Sequence, residues 1–290
     1  MKNSNHEWSY GKHMAKELLE SKNDALPSCY AYPNSIDNWR HERIHRVLLP
    51  LIESYKGCNW ITIGDGRYGS DAYFLKKNGV DVTATSLSDH TLAVANDRGY
   101  IDKFQSENAE RISAEDNSFD FVFLKEAYHH FPRPPIAFYE MLRVAKKAVV
   151  MIEPNESRGR LLNHLKRVVK KIIRKDKTDI FEASGNYIFR LDINEMRKKM
   201  IALNYHLIAY RELNDFYQPS LATHDAAPGS WQFLLTRFGI AVQNILCKLK
   251  LMDSGLVAFI AFKTDPSIDT LENLRSSGFT VESLPINPFL

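Results

Sequence analysis

The run Trp60–Gly79, WITIGDGRYGSDAYFLKKNG, constrains this chain more than any other segment. Four strand-forming residues, Trp60 to Ile63, enter a glycine turn, Gly64-Asp65-Gly66-Arg67-Tyr68-Gly69, and a helical pattern then runs to Asn78-Gly79. Strand, tight turn and helix start together predict a nucleotide-binding corner. Glycines let the backbone close on a ligand, and a helix N-terminus presents N–H groups that have no partner within the helix. The spacing G-x-G-x-x-G occurs widely, so the strand before it and the helix after it give it weight.

Strand and helix signals alternate beyond the corner. Val80–Leu87 (VDVTATSL) predicts a second strand, and Ser88-Asp89 a cap for the helix through Leu92–Ala95. Tyr100–Phe104 is a short third strand. Phe119–Leu124 (FDFVFL), after the turn Glu115-Asp116-Asn117-Ser118, reads as a buried parallel strand. Pro134-Pro135 opens a helix through Ala137–Val144, and Lys147–Ile152 (KAVVMI) is a fifth strand closed by Glu153-Pro154. Such alternation predicts an α/β, doubly wound, mostly parallel sheet. Farther on, Gly159–Arg174 carries an apolar stripe through Leu161, Leu165, Val168 and Ile172, opposite a basic face from Arg160 to Arg174. Asp192–Leu203 and Ser230–Leu249 read as helices, His206–Tyr210 and Leu256–Phe262 as strands. The Pro-rich close, LPINPFL, reads as a tail wrapping back on the surface.

Composition narrows the class. A net charge of +3 over 290 residues is too small to imply nucleic acid. Cys29, Cys58 and Cys247 are odd in number and far apart, so neither a metal site nor a disulfide framework is expected, and a reducing cytoplasm is the default. The opening MKNSNHEWSYGK has no apolar core of a signal peptide, and no apolar run approaches the length of a membrane span.

Corners of this kind serve dinucleotides and S-adenosylmethionine. A dinucleotide site wants a carboxylate about 20 residues on, at the end of the second strand. That strand ends in Thr85-Ser86-Leu87, with no acid and no arginine for a 2′-phosphate. Four segments in order then resemble the class I S-adenosylmethionine-dependent methyltransferases, in particular the small-molecule, methyltransferase type 11-like branch: ITIGDGRYG, VTATSLS, ENAERISAEDNSFDFVFLKEAYHHF and EMLRVAKKAVVMIEP. The resemblance spans roughly Asn59–Pro154. It implies a seven-stranded, mostly parallel, Rossmann-like core over residues 56–265. A helical N-terminal cap over 1–55 would precede it, with lid insertions at about 155–190 and 212–255 and a C-terminal tail over 266–290.

Carried over by position, the resemblance implies a cofactor site of Gly64, Asp65, Gly66, Ser86, Asn108, Ala109, Leu124 and Lys125. Three positions depart from the family pattern, each by losing an acid: Thr62, Ser86 and Asn108. Serine and asparagine still offer hydrogen bonds there, and Asp65 and Asp89 bring negative charge nearby. The segment Ile36–Ile52 resembles the helix with which this branch covers the cofactor, with Trp39, Arg40, His41 and Arg43 as candidates to face it, solvated charge on a packing helix being the commoner role for such residues.

Methyl transfer needs alignment and desolvation, and a hydroxyl acceptor also needs a base. His129 and His130, just past the fourth strand, are the candidate bases, because imidazole titrates near neutral pH and this strand end faces the crevice. Capping or lining a pocket is the plainer role for either histidine. Glu126 and Glu153 are further candidates. Phe181–Arg190 and Asp215–Trp231, with Tyr187, Tyr217 and Trp231, are expected to complete an acceptor pocket. The basic stretch 158–175 suggests peripheral membrane or anionic-acceptor contact, with a helix packed on the domain and its charges solvated as the plainer reading. It lacks the interleaved aromatics of a nucleic-acid channel. The expectation is a cytoplasmic methyltransferase acting on oxygen or nitrogen of a small-molecule or carbohydrate-type acceptor. The alternatives are a catalytically degenerate binding or scaffold protein of the same fold, or an NADP-dependent oxidoreductase.

Overall fold

The computed structural model describes residues 5–23, 26–156, 159–160, 162–163, 180–182 and 184–289. Four helices precede the sheet: α1 (Asn5–Asn23), α2 (Ser28–Ala31), α3 (Ile36–His45) and α4 (Leu49–Ser54). Then β1 (Asn59–Thr62), α5 (Ser70–Lys77), β2 (Asp81–Ser86), α6 (His90–Asp97), β3 (Lys103–Ser106), β4 (Phe119–Lys125), α7 (Pro134–Val144) and β5 (Ala145–Pro154) alternate. The remainder is α8 (Ile193–Ala202), β6 (Leu207–Leu213), α9 (Trp231–Lys248), β7 (Leu256–Phe262), α10 (Ile268–Ser276) and β8 (Thr280–Ser283).

The strands form one sheet in the order β3-β2-β1-β4-β5-β7-β6-β8. Strands β1 to β5 pair in parallel, whereas β7 runs antiparallel to both β5 and β6, and β8 antiparallel to β6. Helices cover both faces, so the central strands are buried on each side. Trp60, Phe121, Phe123, Val150 and Ile152 pack on one face, and Ile61, Val122, Leu124, Val149 and Met151 on the other. The period-2 geometry of a strand deals neighbouring residues to opposite cores. An apolar run such as FDFVFL therefore feeds two cores at once.

The sheet has eight strands where seven are expected, and the reason lies in the last 25 residues. The segment expected as a tail over 266–290 instead forms α10 and β8. The Ser267 hydroxyl caps α10 by accepting from the Thr270 amide at 3.2 Å, and Leu274 and Phe279 are buried in the core. The third strand begins at Lys103, three residues later than expected. At the other end α1, within the helical cap expected over 1–55, is a 19-residue helix. Of the basic stretch 158–175, only residues 159–160 and 162–163 are described, so the expected membrane contact falls mostly outside the described residues. No helix among the described residues is long and apolar enough to cross a membrane.

Candidate active site

From β1 the chain runs outward through β2 and β3 on one side, and from β4 through β5 on the other. The crevice beyond the carboxyl ends of β1 and β4 is thus the topological switch point, where open α/β sheets bind ligands. A cavity of about 770 Å³ opens there, within the range of roughly 300–1,000 Å³ usual for small-molecule sites.

The glycine corner forms one wall. Gly64 has φ +73°, and a side chain there would stand 2.8 Å from the Ala127 Cβ. At Gly66 a Cβ would meet a Glu17 carboxylate oxygen at 2.8 Å and the Ser86 hydroxyl at 2.9 Å. Asp65 also lines the cavity, yet its carboxylate turns into the start of α5. Its oxygens accept from the Asp71 amide at 3.1 Å, the Ala72 amide at 2.8 Å and the Thr62 hydroxyl at 3.1 Å. Asp65 therefore spends its oxygens on the helix N-terminus. Burial, together with the nearby Asp71, pushes its pKa up.

Beneath the corner lies a buried charged group. Asp71 receives the His45 Nε2 at 2.7 Å and has the Lys125 Nζ 3.8 Å away; Lys125 also reaches Glu126 at 3.2 Å. Burial works against the Asp71 charge, but Lys125 and His45 outweigh it and hold the carboxyl below its ordinary value. Burial likewise opposes the Lys125 charge, and Asp71 and Glu126 more than offset it. Glu126 sits at φ +51°, a left-handed conformation uncommon outside glycine. Such strain clusters at functional sites.

At the end of β2, Ser86 and Ser88 donate to the two oxygens of Glu17 on α1, at 2.7 and 2.6 Å. Beyond β3, the Asn108 side-chain oxygen accepts from the Glu110 amide at 2.9 Å. Glu107 and Glu110 line the cavity on either side of Asn108 and Ala109. Glu110 accepts from the Tyr10 hydroxyl at 2.7 Å and from Arg133 Nε at 2.6 Å.

The opposite wall holds the histidines. Glu153, at the end of β5, is 0% exposed. One of its oxygens accepts from the Ala127 and Tyr128 amides at 2.7 and 2.8 Å, and the other meets the His129 Nδ1 at 2.8 Å. A carboxylate can only accept, so Nδ1 carries the proton and Nε2 of neutral His129 is left as the basic nitrogen. Burial would lower the His129 pKa, but the Glu153 carboxylate raises it further than that. His130 pairs through Nδ1 with Glu182, whose second oxygen lies 3.9 Å from the His13 Nε2. Ligand atoms of His129, His130 and Glu182 all stand within 4.8 Å of one another. Glu182 comes from a segment some 50 residues beyond the histidines, and no local spacing shows it.

Of the residues expected to hold a cofactor, Gly64, Asp65, Gly66, Ser86, Asn108, Ala109 and Lys125 line the cavity; Leu124 does not, being fully buried in the core. The candidate catalytic residues His129, His130 and Glu126 line it too. The expected cover is different. Arg40 is paired with Asp37 and Asp215, Arg43 donates to the Asn214 carbonyl, and Trp39 packs edge-on against Phe233. None of these three lines the cavity, nor does His41. The roof is α1, through Tyr10, His13, Glu17 and Glu20. Tyr187, Tyr217 and Trp231 also stand outside it and are exposed. Their segments reach the site by other atoms: Glu182 holds His130, and the Asn186 amide donates to the His130 carbonyl at 2.7 Å. Ala222 and Thr223 line the cavity themselves.

Residues 61–153 match the family model described as a methyltransferase domain, a span that runs from β1 to β5 and contains both walls of the cavity. The fold is similar to that of YcgJ from Bacillus subtilis, at 17% identity and a TM-score of 0.51 over 78% of this chain and all of that one. It is also similar to a SAM-dependent methyltransferase from Archaeoglobus fulgidus, at 16% identity and a TM-score of 0.50 over 77% of this chain and 94% of that one. No curated protein matches the chain. The fold is Rossmann-like. The matched span, 93 of the 290 residues, is a methyltransferase domain.

Proposed function

We propose that this chain methylates an oxygen or nitrogen of a polar small molecule, carbohydrate-type acceptors included, with His129 as the general base. The observation that carries this reading is the His129–Glu153 pair. A fully buried carboxylate, fixed by two backbone amides, holds the imidazole in the tautomer whose free nitrogen is basic. The second pair, His130 with Glu182, stands beside it and orders the acceptor side. The cavity is lined by charged and hydroxyl groups from both walls, which suits a polar acceptor better than an apolar one.

The residues present fit the cofactor. Only glycine leaves room at position 66, and hydroxyl, amide and carboxylate groups ring the space beside it. Gly64 and Gly66 would admit it, with Ser86, Asn108 and Ala109 along its nucleoside side and Lys125 beneath. When bound, S-adenosylmethionine supplies a methyl group activated by a sulfonium. His129 would take the acceptor proton at Nε2, and Glu153 would stabilise the imidazolium so formed. Glu126, tied to Lys125, shapes the floor between the two. The free cysteines Cys29, Cys58 and Cys247 accord with a reducing compartment such as the cytoplasm.

Calorimetry with S-adenosylmethionine and S-adenosylhomocysteine tests the reading first, and no heat at millimolar ligand would sink it. A screen of hydroxyl and amine acceptors with methyl-labelled cofactor then tests the chemistry. His129→Gln is expected to lower turnover by about 10²-fold or more while S-adenosylhomocysteine affinity stays within threefold. Equal loss of both removes the base role.

A further inference from the structure

We propose that Glu17, on helix α1, is the acid that holds the ribose of the cofactor, and that α1 is the part of the chain that completes the cofactor site. The proposal rests on the S-adenosylmethionine reading above. In a nucleotide-binding corner the ribose hydroxyls are held by a carboxylate at the end of the second strand. The chain has Ser86 there, and Asp89, the first acid beyond it, is exposed and does not line the cavity. A carboxylate nonetheless stands at that place, and it arrives from 69 residues upstream. Glu17 accepts from Ser86 at 2.7 Å and from Ser88 at 2.6 Å, and one of its oxygens occupies the space that a Cβ on Gly66 would take.

The chemistry of Glu17 points to a ligand. Burial raises its pKa, the two serine hydroxyls lower it in part, and no cation pairs with it among the described residues. Glu17 is half-buried, and drawing a carboxylate out of water without a cation is costly unless hydrogen bonds surround it. An ionised carboxylate offers about four acceptor positions. The two serine hydroxyls take one on each oxygen and the Ser88 amide takes a third, which leaves about one for a ligand hydroxyl such as that of a ribose. Both serines donate, so they orient the acid toward the ligand and do not compete for its hydroxyls.

Helix α1 is built to hold this residue over the cavity. Tyr10, His13, Glu17 and Glu20 recur at spacings of three and four and share one face, and all four line the cavity. The helix is pinned at both ends. The Tyr10 hydroxyl donates to Glu110 and the Asn186 amide to the Ser9 hydroxyl, while the Tyr68 hydroxyl donates to the Glu20 carbonyl at 2.7 Å. The inner stripe is polar where a packing helix would be apolar.

The test is calorimetry on the full chain with S-adenosylhomocysteine and its 2′-deoxy analogue. Glu17→Gln is expected to weaken S-adenosylhomocysteine at least tenfold. Loss of the 2′-hydroxyl should weaken binding to the unaltered protein by a similar factor, but binding to the Glu17→Gln variant by less than threefold. Equal affinity of the two proteins for S-adenosylhomocysteine overturns the proposal. Tighter binding by the variant also overturns it, because Glu17 would then be filling the cofactor's space. Should the variant not fold, the unaltered protein decides alone, since equal affinity for ligand and deoxy analogue overturns the assignment. Failure of the unaltered protein to bind S-adenosylhomocysteine at all is a distinct result, which removes the cofactor reading and this one with it.

Discussion

Glu153 makes three hydrogen bonds from a position with no access to water, so replacing it affects stability and titration together. Glu153→Gln keeps the shape but turns an amide donor toward donors. A loss of about 1.5–3 kcal/mol is expected in urea unfolding. The His129 pKa is raised in the folded protein, and the sign of its effect follows. Its contribution to stability is fully present below about pH 6.5, the unfolded value, and is lost as pH rises through the folded value. Activity runs the other way, because a base must be neutral, so the rate rises with pH over that same interval. In Glu153→Gln the alkaline-going limb of the rate moves to lower pH, which a pH–rate profile and an NMR titration of His129 would both record. His129 and His130 are legible in the sequence because they follow a strand end. Glu17 is not, because nothing local ties it to Ser86, and only the fold brings them to 2.7 Å.

Elements with an apolar period are legible in the sequence, and elements with a polar inner face are not. Strands β4, β5 and β7 are rich in apolar residues, and these three, with β1 and β2, each lie within a few residues of their expected bounds. Helix α1 buries Ser9 and turns Tyr10, His13 and Glu17 inward, leaving Trp8, Met14 and Leu19 exposed. A search for apolar stripes passes over it for that reason. The segment Ile36–Ile52 carries the stripe such a search wants, and it accordingly packs on the core through Ile44, Val47, Leu48 and Leu51. The glycine corner allows two substitutions to be told apart. Gly64→Ala strains a left-handed backbone and presses on Ala127, at an expected cost of about 2–4 kcal/mol. Gly66→Ala meets only the ends of the Glu17 and Ser86 side chains, so the melting temperature should hardly move while S-adenosylhomocysteine affinity falls at least tenfold. Thermal melts and calorimetry on both variants check the contrast.

At the scale of the molecule, sheet order fixes where chemistry can happen. The strand alternation in the sequence is enough to place the crevice, since successive strands are added on one side of β1 through β3 and on its other side from β4, whatever the loops do. The acceptor side is less legible, because its residues come from irregular segments after β5 whose side chains meet only through the fold. The end of the chain departs from expectation because LPINPFL draws the eye from the capped helix and short strand before it. That strand has a consequence for the life of the protein in a crowded solution. A seven-residue β6 without β8 would present an open row of amides and carbonyls, a template for another chain. Removing residues 266–290 is therefore expected to drive concentration-dependent aggregation, measurable by light scattering. In place of that template the sheet ends in a four-residue, mostly polar strand followed by Pro285 and Pro288, neither of which has an amide hydrogen to offer a neighbour. The last few residues guard the molecule against pairing with its own kind.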